Sequence, residues 1–268
     1  MTNGLSIQPG RPLQIAHRGA SGEAPENTLA AFTLARQQGA EAFELDIQPT
    51  RDGRLAVIHD PRVDRITDGH GAVRELSLAE LKRLDAGYRF TPDRGQSFPF
   101  RGRGLTIPTL EEVFEAFPDV PCIIDVKCPA PPVEERLLSL IVKHGAESRV
   151  LVGSFFHGVL QRFRALAPAI PTGLSRREVT WLYLTFWLRI EQLSKPRGTG
   201  LLIPPRQLGL PLITPGAINA AHRRGLAVHV WTINEPEAMR RFIGLGVDGI
   251  MTDYPGRLRS CLDQASQG

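Results

Sequence analysis

At 268 residues, with 42% apolar and 22% charged residues, the chain is long enough for one large α/β domain with a full core. A net charge of +4 is too small and too scattered to argue for nucleic acid, and no aromatic-rich RNA-binding motif accompanies it. It suits an anionic small-molecule substrate or an acidic membrane surface, and nothing points to an obligate protein partner.

Cys122, Cys128 and Cys261 are odd in number and form no CxxC pair, which predicts a reduced, cytoplasmic chain. Met1 to Pro12 is polar and lacks the apolar segment of a signal peptide, so none is expected.

Short β-type runs alternate with helical patterns along the chain. Strands are expected at Leu13–His17, Ala42–Ile47, Cys122–Val126, Val150–Ser154, Pro171–Leu174, Leu201–Ile203, Ala227–Thr232 and Gly249–Thr252. Helices are expected at Asn27–Gln38, Val133–His144, Gly158–Leu166, Thr214–Arg224 and Pro236–Leu245. Asn27 fits an N-cap, and Gly39, Gly145 and Gly225 fit helix stops.

Leu55–His59 breaks the alternation. Only 48–54 separates it from the second strand, too short for a parallel crossover, and Asp52-Gly53 is a hairpin signal. It should return antiparallel and carry His59 back beside Glu44. The pattern predicts an α/β (β/α)8 TIM barrel with a β-hairpin after strand 2, in one domain over 1–268. An inserted segment at about 60–110, with one helix at Ser77–Leu84 and a stretch from Gly87 to Gly104 rich in Gly, Pro, Arg and Phe, should cap the mouth.

In such a barrel the reacting groups sit at strand C-termini. His17, Glu44, Asp46, Asp125, Lys127 and Trp231 all end or nearly end predicted strands. Glu44, Asp46 and Asp125 form an oxygen set suited to a hard divalent cation, Mg²⁺ or Ca²⁺. A phosphodiester brings a further negative charge, and each close pair of like charges repels by about 4 kcal/mol at an effective dielectric near 20, so a dication is needed. The plainer alternative is a structural network in which the acids pair with Arg18 and Lys127.

His17 and His59 flank the acids and can act as an acid/base pair near neutral pH. Arg18 and Lys127 can hold phosphoryl oxygens, and Trp231 can contact substrate. The remaining histidines (His70, His144, His157, His222, His229) receive no role, and Glu26-Asn27-Thr28 is read chiefly as a helix cap.

At these residues the sequence resembles the glycerophosphodiester phosphodiesterase family. The matching pieces are His17-Arg18-Gly19, Pro25-Glu26-Asn27-Thr28, Glu44-Leu45-Asp46, Asp52-Gly53 with Val57-Ile58-His59-Asp60, and Val230-Trp231-Thr232-Ile233-Asn234. The segment from Gly246 to Pro255 closes the match. The resemblance implies a barrel that hydrolyses glycerophosphodiesters to glycerol 3-phosphate and an alcohol with a divalent metal. It also implies His17 and His59 as acid/base, Glu44 and Asp46 as metal ligands, and phosphate contacts at Arg18 and Lys127. The family usually carries Glu-x-Lys where this chain has Asp125-Val126-Lys127, whereas related barrels of the sphingomyelinase D type use aspartate there. The sequence leaves open whether a glycerol hydroxyl or water attacks phosphorus.

Val179 to Leu188 holds two of the three tryptophans in one apolar run, too short to span a bilayer. It is either a helix packed on the barrel or an exposed aromatic surface near the mouth. In the second case Arg89, Arg94, Arg101 and Arg103 would meet anionic headgroups, the enzyme would be a lysophospholipase D, and it would sit peripherally on the membrane. A non-catalytic barrel that only binds a phosphorylated ligand is the remaining alternative.

Overall fold

The computed structural model describes residues 5, 10–188, 190 and 193–266. In chain order the elements are β1 (Leu13–His17), α1 (Leu29–Gln37), β2 (Ala42–Pro49), β3 (Leu55–Val57), α2 (Leu78–Leu81), α3 (Leu110–Ala116) and β4 (Cys122–Val126). They continue with α4 (Val133–Lys143), β5 (Val150–Gly153), α5 (His157–Leu166), α6 (Arg176–Trp187), β6 (Gly200–Ile203) and the ribbon β7 (Arg206–Gln207) and β8 (Leu210–Pro211). The chain ends with α7 (Pro215–His222), β9 (Ala227–Val230), α8 (Pro236–Leu245), β10 (Gly249–Thr252) and α9 (Pro255–Ala265).

The large sheet runs β5-β4-β2-β1-β10-β9-β6, and every neighbouring pair on that path is parallel. The gap between β5 and β6 is filled by 171–174, through the parallel bridges Val152↔Thr172 and Gly173↔Gly200. The fold is thus the expected (β/α)8 barrel. Its fifth strand is reduced to those bridges instead of extending over Pro171–Leu174, because Pro171 has no N–H and Gly173 no side chain to pack. β3 pairs antiparallel with β2 (Ile47↔Val57, Pro49↔Leu55), as the hairpin signal predicts, though it ends at Val57.

The strands alternate strictly. On β2, Phe43, Leu45 and Ile47 join the outer layer against the helices, while Ala42, Glu44 and Asp46 point into the barrel. On β4, Ile124 and Val126 face out and Ile123 and Asp125 face in. The lower interior is plugged by Leu5, Leu13, Ile15, Ile123, Leu151 and Met251. Burial of each such side chain contributes roughly 1.5–3 kcal/mol. The barrel floor is therefore apolar, and the carboxylates lie one layer above it.

Several boundaries differ from the sequence expectations. The N-cap of α1 is Thr28, whose hydroxyl accepts from the Ala31 amide at 3.2 Å; Asn27 precedes it with φ of 57°. α2 is shorter than Ser77–Leu84, because beyond Leu81 the amides of Arg83 and Leu84 bond to the carbonyls of Glu80 and Leu81 in tighter turns. β9 stops at Val230, short of Thr232. The run from Val179 lies largely in α6, which opens on a Ser175/Glu178 capping box. Helices α3 and α9 were not anticipated; α3 has its own capping box in Thr109 and Glu112.

Within 60–110, Val63, Val73, Leu81, Ala86 and Ile107 are buried together with Ala56 and Ile58 of the hairpin. Arg89 and Arg101 are exposed but find partners within this segment. Arg89 donates to the Thr67 carbonyl at 3.0 Å, and Arg101 lies 4.2 Å and 3.9 Å from the Tyr88 and Phe98 ring centres. Among the described residues no helix is long and apolar enough to cross a membrane.

Candidate active site

Strand register assembles the site. His17 of β1 is the direct neighbour of Glu44 on β2, and Asp46 on β2 is the neighbour of Asp125 on β4. The hairpin returns His59 to the same place, since the Ile58 amide bonds to the Asp46 carbonyl at 2.9 Å. His17, Arg18, Glu44, His59, Asp125, Lys127 and Trp231 all line one cavity of about 100 Å³, floored by Ile123 and Met251. Asp46 is fully buried behind it. All eight residues singled out in the sequence are thus brought together.

The three carboxylates offer oxygens that lie within 4.8 Å of one another. They are also partly paired with cations, as the plainer reading requires. Lys127 Nζ is 2.7 Å from Asp125 Oδ2 and 3.1 Å from Asp46 Oδ1, and Arg18 Nε is 3.1 Å from Asp46 Oδ2. A closed structural network would leave no oxygen idle. Yet Asp125 Oδ1 is buried and accepts no hydrogen bond, and Asp46 Oδ1 has only the poorly aligned Lys127. An unsatisfied buried carboxylate oxygen is costly, so these hard oxygen donors fit a divalent cation.

Charges are unevenly tuned. Burial, with the adjacent Asp46 charge, pushes the Glu44 carboxyl up to about 7. Burial likewise raises Asp125 despite Lys127. For Asp46, burial is overcome by Lys127 and Arg18, and its carboxyl is held below the usual range.

Each histidine is held by an aspartate. His17 Nδ1–H donates to Asp253 Oδ1 at 2.7 Å, and His59 Nδ1–H donates to Asp60 Oδ1 at 2.6 Å. Both rings therefore turn Nε2 towards the cavity; that of His17 lies 3.9 Å from Glu44 Oε2. Burial opposes protonation of His17, but the Asp253 hydrogen bond and the Glu44 charge raise its pKa. Asp253 is itself fixed by Ser21 Oγ at 2.8 Å and Asn234 Nδ2 at 2.6 Å.

Neither aspartate was assigned from the sequence. Asp60 directly follows His59 and could have been suspected. Asp253 lies 236 residues from His17 and meets it only because β10 closes the barrel against β1.

The turn after β1 does more than cap a helix. Arg18 and Asn27 both take φ of 57°, an uncommon conformation for such residues, and the Asn27 amide bonds to the Arg18 carbonyl at 2.9 Å. Asn27 Nδ2 then donates to Asp46 Oδ2 at 2.9 Å. Glu26 accepts from Arg18 at 3.1 Å and from Arg65 at 2.7 Å; Arg65 also donates to Asp60. Ion pairs thus link one histidine's neighbour to the other's through Arg65 of the inserted segment.

His229, which had no evident partner in the sequence, sits in the barrel floor with Nε2 at 3.2 Å from the Leu5 carbonyl.

The family described as the glycerophosphoryl diester phosphodiesterase family matches residues 17–257. A glycerophosphodiester phosphodiesterase of Caldanaerobacter subterraneus subsp. tengcongensis is 38% identical over 253 residues, covering 92% of this chain and 96% of that protein. One of Bacillus subtilis is 33% identical, covering 95% and 87%.

Among solved structures, an Oleispira antarctica phosphodiesterase in complex with the product sn-glycerol-3-phosphate shares 30% identity with a TM-score of 0.75, covering 94% of this chain and 97% of that one. The glycerophosphodiester phosphodiesterase of Agrobacterium tumefaciens shares 28% with the same TM-score, covering 94% and 100%. Barrel, acidic cluster and sequence similarity agree, and the chain belongs to the glycerophosphoryl diester phosphodiesterase family, whose members are phosphoric diester hydrolases.

Proposed function

We propose that the protein hydrolyses glycerophosphodiesters to glycerol 3-phosphate and an alcohol, with His17 and His59 exchanging the protons. The observation that carries this reading is the pair of aspartate-held imidazoles beside three carboxylates whose oxygens are not all satisfied.

Glu44, Asp46 and Asp125 would hold a divalent cation, Mg²⁺ or Ca²⁺, which when bound supplies positive charge to the phosphoryl oxygens. Lys127 and Arg18 add fixed positive charge beside the same oxygens. Trp231, 6.1 Å from Phe155 between ring centres, walls the apolar side of the cavity. One Nε2 removes the proton of the attacking hydroxyl, and the other returns a proton to the departing alkoxide. The attacking group is water or a glycerol hydroxyl; in the second case a transient cyclic phosphate forms, detectable by phosphorus NMR. Segment 60–110 acts as the cap, tied to the site through Arg65.

A second reading extends the substrate to lysophospholipids. It is favoured by one observation: Trp181, Leu184, Trp187 and Leu188 of the α6 region are 42–59% exposed at helical spacing. Alcohol release from glycerophosphocholine and from lysophosphatidylcholine tests both. Turnover of the first supports the main reading, a strong preference for the second supports the lipid reading, and turnover of neither contradicts both.

A further inference from the structure

A second basin adjoins the catalytic cavity and shares Lys127 with it. It has a volume of about 390 Å³, and its charged lining is Arg62, Arg74 and Lys127 against Glu75 alone. The basin lies on the His59 side. Gln48, another of its walls, donates its amide to the His59 carbonyl at 3.1 Å, and Arg62 follows His59 by three positions. Arg74 is 81% exposed and has only a loose ion pair, 3.9 Å, with its neighbour Glu75. Arg62 meets Asp64 at 3.1 Å through one terminal nitrogen and is 57% exposed. Both guanidiniums keep donors free for a ligand, and guanidinium forks match phosphate oxygens.

We propose, resting on the hydrolase reading above, that this basin receives the departing alcohol and selects alcohols that carry a phosphate group of their own. As the bond between phosphorus and the leaving oxygen breaks, that oxygen takes the proton from His59 Nε2. The attacking oxygen, of water or a glycerol hydroxyl, forms the new bond to phosphorus and gives its proton to His17. The distal phosphate is unchanged and stays on the arginines. A neutral alcohol leaves through the same basin but gains nothing from it.

The proposal is tested with two substrates, sn-glycero-3-phosphoglycerol and the same molecule phosphorylated on its distal hydroxyl. The metal-loaded wild type should favour the phosphorylated diester in kcat/KM by about tenfold or more, which charge-assisted hydrogen bonds can supply. In the R62A/R74A double variant that ratio should fall to within about twofold of unity. No preference in the wild type, or a ratio the double variant leaves unchanged, overturns the proposal.

A second readout needs no turnover. Cys128 is half-buried in the basin wall, while Cys122 and Cys261 are buried in the core, so iodoacetamide should label Cys128 selectively. The uncleavable analogue of the phosphorylated substrate, with CH2 for the leaving oxygen, should slow labelling several-fold; the neutral analogue should not. Equal protection by both, or by neither, overturns the assignment. Protection without turnover of either diester would strike the hydrolase reading and leave the basin standing.

Discussion

Asp125 carries the sharpest residue-level consequence. Its Oδ2 is taken by Lys127 and its Oδ1 is idle, so the same side chain serves a salt bridge and a candidate cation. Replacing it with Ala should abolish metal-dependent turnover and weaken Mn²⁺ binding measured by EPR; unchanged affinity would contradict its role as a ligand. His17→Ala and His59→Ala should each lower kcat by about 10²- to 10⁴-fold. Asp253→Asn should cost less, and its signature lies in pH dependence. Because the Asp253 carboxylate raises the His17 pKa, its loss should move the limb of the kcat profile that reports His17 to lower pH. A profile identical to wild type would show that Asp253 only fills space.

At the scale of elements, the register of β1, β2 and β4 does the assembly, and this was largely readable. Alternation on Phe43-Glu44-Leu45-Asp46-Ile47 predicts inward carboxylates, and Asp52-Gly53 predicts the hairpin that returns His59. What could not be read were contacts made by ring closure. Asp253 faces His17 only once β10 lies beside β1, and Asn27 reaches Asp46 only through a left-handed turn that resembles an ordinary helix cap in sequence. The fifth strand was readable in place but not in extent: 171–174 bonds to both neighbours, through Gly173 to Val152 and Leu174 to Gly200, yet only Thr172 and Gly173 form bridges.

The β9, β10 and β1 contact is also tight. A Cβ at Gly249 would lie 2.2 Å from His229 Nδ1 and 2.8 Å from Ile15 Cδ1. Gly249→Ala should therefore destabilise the barrel by about 1–3 kcal/mol in urea unfolding, and a neutral result would mean that the floor relaxes freely.

For the molecule as a whole, the floor of the barrel predicts a pH-dependent stability. Burial holds the His229 imidazole down to about 4, below its ordinary 6.5, so the folded chain keeps it neutral while the unfolded chain protonates it. Above pH 6.5 this costs nothing. Between about 6.5 and 4 stability should fall, by about 3 kcal/mol in all, and below 4 the loss should level off. Carboxyls raised by burial act in the opposite sense, so the effect is read as a difference: H229Q should lose less stability than wild type from pH 7 to 4. Parallel curves would place the titration elsewhere.

Length, alternation and the spaced motifs made the barrel class and its acidic centre legible. The ion-pair path Glu26–Arg65–Asp60, which ties Arg18, the neighbour of His17, to Asp60, the partner of His59, was not, because it joins side chains 39 and 5 residues apart by geometry alone.

The most direct test is release of glycerol 3-phosphate from glycerophosphocholine by chelator-stripped protein, before and after stoichiometric Mg²⁺ or Ca²⁺. The bare protein should be inactive and the ion should restore turnover in wild type but not in D125A; full activity of the stripped protein, or none after either ion, would contradict the account.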